Sequence, residues 1–296
     1  MKGSLGFLIL TFLIIHLPNF FIFCTGHSYS HSHSQLHCIN TERHALLTFK
    51  QDLIDPSNRL SSWTVDGDCC QWVGVVCHNL TAHIQQLHLR TFYPSGGFAI
   101  EERYEAYLRS MFGGKLNPSL LDLKHLNYFD LSFNNFSASP IPSFLDSMKS
   151  LTSLNLSNAR FVGLIPYKLG NLSNLLYLNL ECYRTNDLYV NNLQWPLGLP
   201  LLQHLDMSYV NLSKASNWLQ VTDTLPSLFE LRLSYSQLPF IPPTPTINFS
   251  SLVVDLHNMT SLRHLDLSGN NFNSSIPNWL YSFSCLEFLN LGSSNL

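Results

Sequence analysis

The chain has 296 residues, enough for one large domain or two small ones. Sixteen basic and nineteen acidic side chains leave a net charge of −3, which argues against a nucleic-acid binder held by a basic stripe. Charged residues make up 12%, half of the ~25% typical of globular chains, while the hydrophobic share of 45% excludes disorder and a polytopic membrane protein.

The chain opens on Met1-Lys2 and an apolar run from Leu5 to Leu17. With small residues near Cys24-Thr25-Gly26, residues 1–26 read as a secretory signal cleaved after Gly26; an uncleaved anchor is the alternative. Residues 27–37, rich in His and Ser, read as a flexible tether rather than a metal site. Next come Cys38, Cys69, Cys70 and Cys77, clustered as in the disulfide framework of an oxidising compartment. Adjacent Cys69 and Cys70 pair poorly with each other, so Cys38–Cys69 and Cys70–Cys77 are the favoured bridges. Zinc is the rival, but Cys-Cys-x6-Cys lacks paired C-x2-4-C hooks. Ahead of the pair, Asn40 or Thr41 suits a helix cap, and Leu46, Phe49, Leu53 and Ile54 suit one apolar helix face.

From residue 81 a short L-x-L motif recurs, ending at Leu89, Leu131, Leu156, Leu180, Met207, Leu233, Leu267 and Leu291. The spacings are 42, 25, 24, 27, 26, 34 and 24 residues, against the 20–29 of a leucine-rich repeat. Alternating Leu on a short strand point inward, and one repeat cannot bury its Leu face alone. The fold expected is therefore an α/β leucine-rich-repeat solenoid with a parallel concave sheet and a disulfide-bonded helical cap at residues 38–80. The template asparagine, which satisfies backbone groups of the turn, stands at Asn134 and Asn270. Phe92, Ala159, Tyr183, Val210, Ser236 and Ser294 replace it elsewhere, where irregular turns are expected. The two over-long gaps hold a loop or short helix between Thr91 and Phe112, and a proline cluster at Ile241-Pro242-Pro243-Thr244-Pro245. Cys182 and Cys285 lie four repeats apart and are expected as unbridged, buried thiols.

Several phrases carry a family resemblance. Glu42-Arg43, Ala45-Leu46-Leu47, Leu60-Ser61-Ser62-Trp63 and Cys69-Cys70-Gln71-Trp72-Val73-Gly74-Val75-Val76-Cys77 resemble the plant-type N-terminal cap of leucine-rich-repeat receptors. Gly163-Leu164-Ile165-Pro166 matches the plant G-x-I-P turn, with variants at Ser139–Pro142 and Ser274–Pro277; in the family this turn starts a second strand on the side wall. Gly114–Lys124 and the preceding Tyr107-Leu108-Arg109-Ser110 are similar to plant receptor-like proteins of the ethylene-inducing-xylanase receptor type. The resemblance implies a cell-surface immune receptor without a kinase. It would bind a protein or peptide elicitor and work with a co-receptor leucine-rich-repeat receptor-like kinase. The chain stops inside a repeat, so anchoring is expected only through a missing C-terminal segment or an uncleaved signal. A secreted inhibitor of microbial wall-degrading enzymes, or a truncated product without signalling, is the alternative.

No catalytic, cofactor or metal constellation stands out: the sequence has no nucleotide loop, no G-x-S-x-G elbow and no H-E-x-x-H. A binding scaffold is expected instead of an enzyme. Residues facing out of the strands form columns, and a rigid sheet presents aromatics at low entropic cost. Tyr128, Asp130, Tyr177, Asp206, Tyr209, Arg232, Tyr235 and Asp266 are the expected ligand-binding residues. Eight sequons, at Asn79, Asn135, Asn155, Asn171, Asn211, Asn248, Asn258 and Asn273, mark candidate glycosylation sites. A glycan on Asn155 would project from the concave face.

Overall fold

The computed structural model describes residues 37–92, 100–137, 139–183, 188–239, 261–272, 280 and 283–295. Residues 1–36, read as signal and most of the tether, the proline cluster, the turn at 274–277 and the sequons Asn248, Asn258 and Asn273 lie outside them.

In chain order, helix α1 (Asn40–Asp52) leads into β1 (Leu53–Ile54), then β2 (Val75–Cys77) and β3 (Ile84–His88). Helix α2 (Ile100–Ser110) and β4 (Gly113–Gly114) follow. The repeats then supply β5 (Tyr128–Asp130), β6 (Ser153–Asn155), β7 (Gly163–Leu164), β8 (Tyr177–Asn179), β9 (Leu188–Tyr189) and β10 (His204–Asp206). Helix α3 (Trp218–Asp223), β11 (Glu230–Arg232), β12 (His264–Asp266) and β13 (Phe288–Asn290) complete the described elements.

The main sheet has nine strands in the order β2-β3-β5-β6-β8-β10-β11-β12-β13. Only β2 runs antiparallel to its neighbour; every other pair is parallel. The register is the same throughout, so Leu87, Phe129, Leu154, Leu178, Leu205, Leu231, Leu265 and Leu289 form one row. All but Leu289 of the last strand are buried. The next Leu of each motif is buried too, from Leu89 to Leu267. The two leucines of each L-x-L thus make a continuous core shared between repeats. Opposite the strands the chain returns through short 3-10 turns such as Pro118–Asp122, Ser143–Ser147 and Tyr167–Asn171, which bury Leu120, Leu145 and Leu169. The plant-type turn behaves as expected: β7 pairs in parallel with β9, and Tyr189 bridges on to Asn211, making a second small ladder.

The cap departs from its expected outline. Helix α1 begins at Asn40 with Ile39 at its N-cap and no side-chain cap bond, so neither Asn40 nor Thr41 caps it. Leu46 and Phe49 are buried as expected, but Leu53 and Ile54 leave the helix. They pair antiparallel with Gly113–Gly114, and Ile54 is 60% exposed. The disulfides are Cys38–Cys69 and Cys70–Cys77, which leaves none of these sulfurs for zinc. Cys182 is an unbridged buried thiol; Cys285 is unbridged but half-buried, less enclosed than expected.

The ladder position also corrects the sequence reading. Asn134 donates to the carbonyls of Leu89 and Leu131, and Asn270 to those of Leu233 and Leu267. Ser236 and Ser294 take the same role, their hydroxyls donating to Met207 O and Leu267 O. Ala159 and Val210 are buried in place, their backbone N–H groups closing turns onto Leu156 O and Met207 O. Only Phe92 and Tyr183 turn outward to solvent. Side chains small or apolar enough to enter the column keep the turn regular.

Candidate functional site

The face of the sheet opposite the leucine core is built from two rows of strand residues. The first row includes Tyr128, Ser153, Tyr177, His204, Glu230, His264 and Phe288. The last row runs Asp130, Asn155, Asn179, Asp206, Arg232, Asp266 and Asn290.

The last row has a structural duty that the sequence did not disclose. In each of Asp130, Asn155, Asn179, Asp206, Asp266 and Asn290, Oδ1 accepts the backbone N–H two residues on, at 2.8–3.0 Å. This short Asx turn bends the chain out of the strand. Asp130 is the extreme case. It is 5% exposed, its second oxygen accepts from the Tyr128 hydroxyl, and it presents almost no surface to a ligand. Its expected place in a binding surface is therefore corrected. Tyr128 sits half-buried above it, with its ring against His88. Asp266 accepts from the Ser268 N–H and hydroxyl and from Asn290 Nδ2 at 3.1 Å.

Tyr177, Asp206 and Arg232 are brought together around a depression of about 140 Å³ that also touches His204 and Glu230. Glu230 is its hub: Oε2 meets His204 Nδ1 at 3.0 Å, and Oε1 accepts from Arg232 Nε at 2.6 Å. Partial burial alone would raise the Glu230 carboxyl, but these two partners hold it below its ordinary value. Asp206 goes the other way: burial pushes it up despite the Ser208 bonds that favour the charged form.

Tyr209 and Tyr235 stack in parallel with ring centroids 5.0 Å apart, and Tyr183 continues the row at 5.2 Å. Tyr209 and Tyr235 occupy the turn position two residues after the strand motif, as do Phe133, Asn158, Gly269 and Ser293, all with positive φ. Sequence reading treated Tyr183 only as a misplaced ladder residue; its 72% exposure and its place in the stack make it a surface residue. Phe229 was also missed, because it precedes its strand by one residue. Its ring lies between His204 and His264 at 5.8 and 5.3 Å.

Among the described sequons, Asn79 and Asn171 are exposed, and Asn135, Asn155 and Asn211 are half-buried. Asn155 stands on the strand face itself.

A parallel sheet with one repeated register, a disulfide-bonded cap and a side-wall ladder define a plant-type leucine-rich-repeat protein. Family models agree: residues 39–78 match the leucine rich repeat N-terminal domain, and residues 125–148, 150–172 and 261–283 match the leucine rich repeat. Within this class the chain is similar in sequence to receptor-like proteins: it is 37% identical over 83% of its length to receptor-like protein EIX1 of Solanum lycopersicum and 39% identical to EIX2. It spans 23% of the length of either relative. Among solved structures, PEPR1-AtPEP1 is 26% identical with a TM-score of 0.63, over 86% of this chain and 32% of that one. The Arabidopsis receptor kinase HAESA, solved with the peptide hormone IDA and the co-receptor SERK1, has a TM-score of 0.60 at 24% identity, covering 85% and 41%. The second likeness establishes the fold.

Proposed function

We propose that the chain is the N-terminal recognition part of an extracellular receptor-like protein that binds a protein or peptide elicitor on its strand face. The carrying observation is the juxtaposition there of the Tyr183–Tyr209–Tyr235 row, its last two rings stacked, with the His204–Glu230–Arg232 cluster. Rigid aromatics beside a polar cluster have the makeup of an interface hot spot. Relatedness to the tomato receptor-like proteins, and likeness to the structure solved as PEPR1-AtPEP1, supports recognition over catalysis. A leucine-rich-repeat receptor kinase as co-receptor, and placement on the outer side of the plasma membrane, follow from the same reading.

The resemblance to xylanase receptors selects the first probe. Surface plasmon resonance with the purified chain and a secreted fungal xylanase is expected to show saturable binding. Tyr235→Ala or Arg232→Ala should weaken it about tenfold each, in the range of interface hot spots. Saturable binding that both variants leave unchanged would overturn the strand-face reading.

A further inference from the structure

A second concavity, of about 330 Å³, lies beside the strand face. One wall is the helical excursion, through Tyr107 of α2 and Met111 just beyond it. The other wall comes from the turns of three successive repeats: Phe133, then Asn158 and Arg160, then Glu181 and Tyr183. Its apolar surface is mostly aromatic. Tyr183 is the end ring of the tyrosine row, tilted 52° against Tyr209, so a further ring placed in the cleft would continue that row.

The polar groups are arranged at separate points. Arg160 is half-buried, yet its guanidinium makes no hydrogen bond or ion pair among the described residues. Both Arg160 and Arg90 exert a positive field on the Tyr107 phenol. Arg90 itself packs over the Phe133 ring at 4.8 Å. The Glu181 carboxylate accepts from Asn158 Nδ2 at 3.2 Å and retains acceptor capacity. Phe133, Asn158 and Arg160 all hold positive φ, a conformation that disfavours side chains, so the turns carry these groups where glycine would be easier.

We propose that this cleft anchors an aromatic side chain of a peptide or protein ligand, with an adjacent carboxylate on Arg160. The ring enters between Tyr107 and Tyr183, and a ligand backbone N–H reaches Glu181. Charge complementarity selects this occupant: a guanidinium with no partner among the described residues, set in an aromatic cleft, matches an aromatic–acidic segment and disfavours a basic one. The proposal rests on the reading of the chain as a ligand-binding ectodomain, and it names a site separate from the strand-face cluster.

The test uses the full purified chain and three capped dipeptides, Ac-Phe-Asp-NH2, Ac-Phe-Lys-NH2 and Ac-Ala-Asp-NH2, with dissociation constants from ligand-observed NMR. Ac-Phe-Asp-NH2 is expected to bind at least about tenfold tighter than the other two, the scale of one charge-assisted bond or one buried ring. Arg160→Gln should erase the preference for Asp over Lys while far-UV circular dichroism and the unfolding midpoint stay as in the parent. Tyr183→Ala should erase the preference for Phe over Ala. Tyr235→Ala and Arg232→Ala, the strand-face variants, should leave all three constants within about twofold, because these residues do not line the cleft. Equal affinities for the three dipeptides, or an Asp preference that survives Arg160→Gln, would overturn the proposal even if xylanase binds the strand face. The expected dipeptide pattern without xylanase binding would uphold the cleft and discard that elicitor.

Discussion

At the residue scale, the solenoid depends on a few side chains whose geometry has no substitute. Gly269 has φ of +69°, and a Cβ there would stand 2.4 Å from the Tyr235 ring. Gly269→Ala should therefore lower unfolding free energy by about 2 kcal/mol in urea titration, combining backbone strain with displacement of the stacked ring. In a Tyr235→Ala background the same change should cost less, since only the strain remains. Equal costs in both backgrounds would show that the ring plays no part. Asn134 is a different case. Its Nδ2 donates to Leu89 O and Leu131 O, while its Oδ1 accepts from Phe112 N and the Thr91 hydroxyl. Thr91 and Phe112 are the two ends of the excursion carrying α2, so one buried amide closes that loop. Asn134→Ala leaves several buried groups unpaired and should cost about 3 kcal/mol. Asn134→Ser should recover part of it, because Ser236 and Ser294 hold the equivalent carbonyls with a hydroxyl alone.

At the element scale, legibility followed periodicity. The eight strands of the parallel repeats were readable because each motif places two large apolar side chains, leucines in six of the eight, on one side at repeat spacing, and the register keeps them there. The cap was readable through its cysteines and tryptophans, and Trp63 and Trp72 stack at 5.4 Å within it. What local pattern does not encode was missed. Leu53 and Ile54 continue the apolar face of α1 in sequence, yet β4 draws them into a strand. The excursion between Thr91 and Phe112 read as a loop or a short helix, and nothing in it told that Tyr107 lines a cleft with Phe133 and Tyr183. Asp130 read as an outward acid because the strand period makes it one; the Asx turn that buries it is a backbone event two residues later. The bridges of the cap also differ in what they contribute. Cys38–Cys69 closes 31 residues and Cys70–Cys77 closes 7. By loop-closure entropy, Cys38→Ser/Cys69→Ser should cost about 4 kcal/mol and Cys70→Ser/Cys77→Ser about 2. Equilibrium unfolding of the two double variants gives the comparison, and the reverse order would mean that native packing, not chain entropy, sets the balance.

At the scale of the whole molecule, the sheet face gathers carboxylates that respond to pH in opposite senses. Burial pushes Asp206 up, and burial followed by the nearby Asp206 charge pushes Glu181 up. For a group raised on folding, the native state binds its proton more readily than the unfolded chain, so acidification favours the native state. That gain accrues as pH falls from neutrality through the raised values toward the ordinary carboxylate range near ~4. Glu230 has the opposite sign, because the contacts with His204 and Arg232 hold it low against its partial burial. Its contribution is present above the ordinary value and is lost as pH falls through the lowered one. The two windows do not coincide, so their sum has a maximum between them. The unfolding midpoint is expected to rise as pH falls from neutrality toward the ordinary carboxylate range near ~4, and to fall again below it. Asp206→Asn should flatten the rising limb, and Glu230→Gln should flatten the falling one. An unchanged rising limb in Asp206→Asn would assign the acid gain to other groups. Asp206 and Glu181, both raised, lose charge on acidification ahead of ordinary carboxylates. Binding to the strand face should then strengthen on acidification for an acidic ligand surface and weaken for a basic one, which a pH series of the xylanase titration would separate.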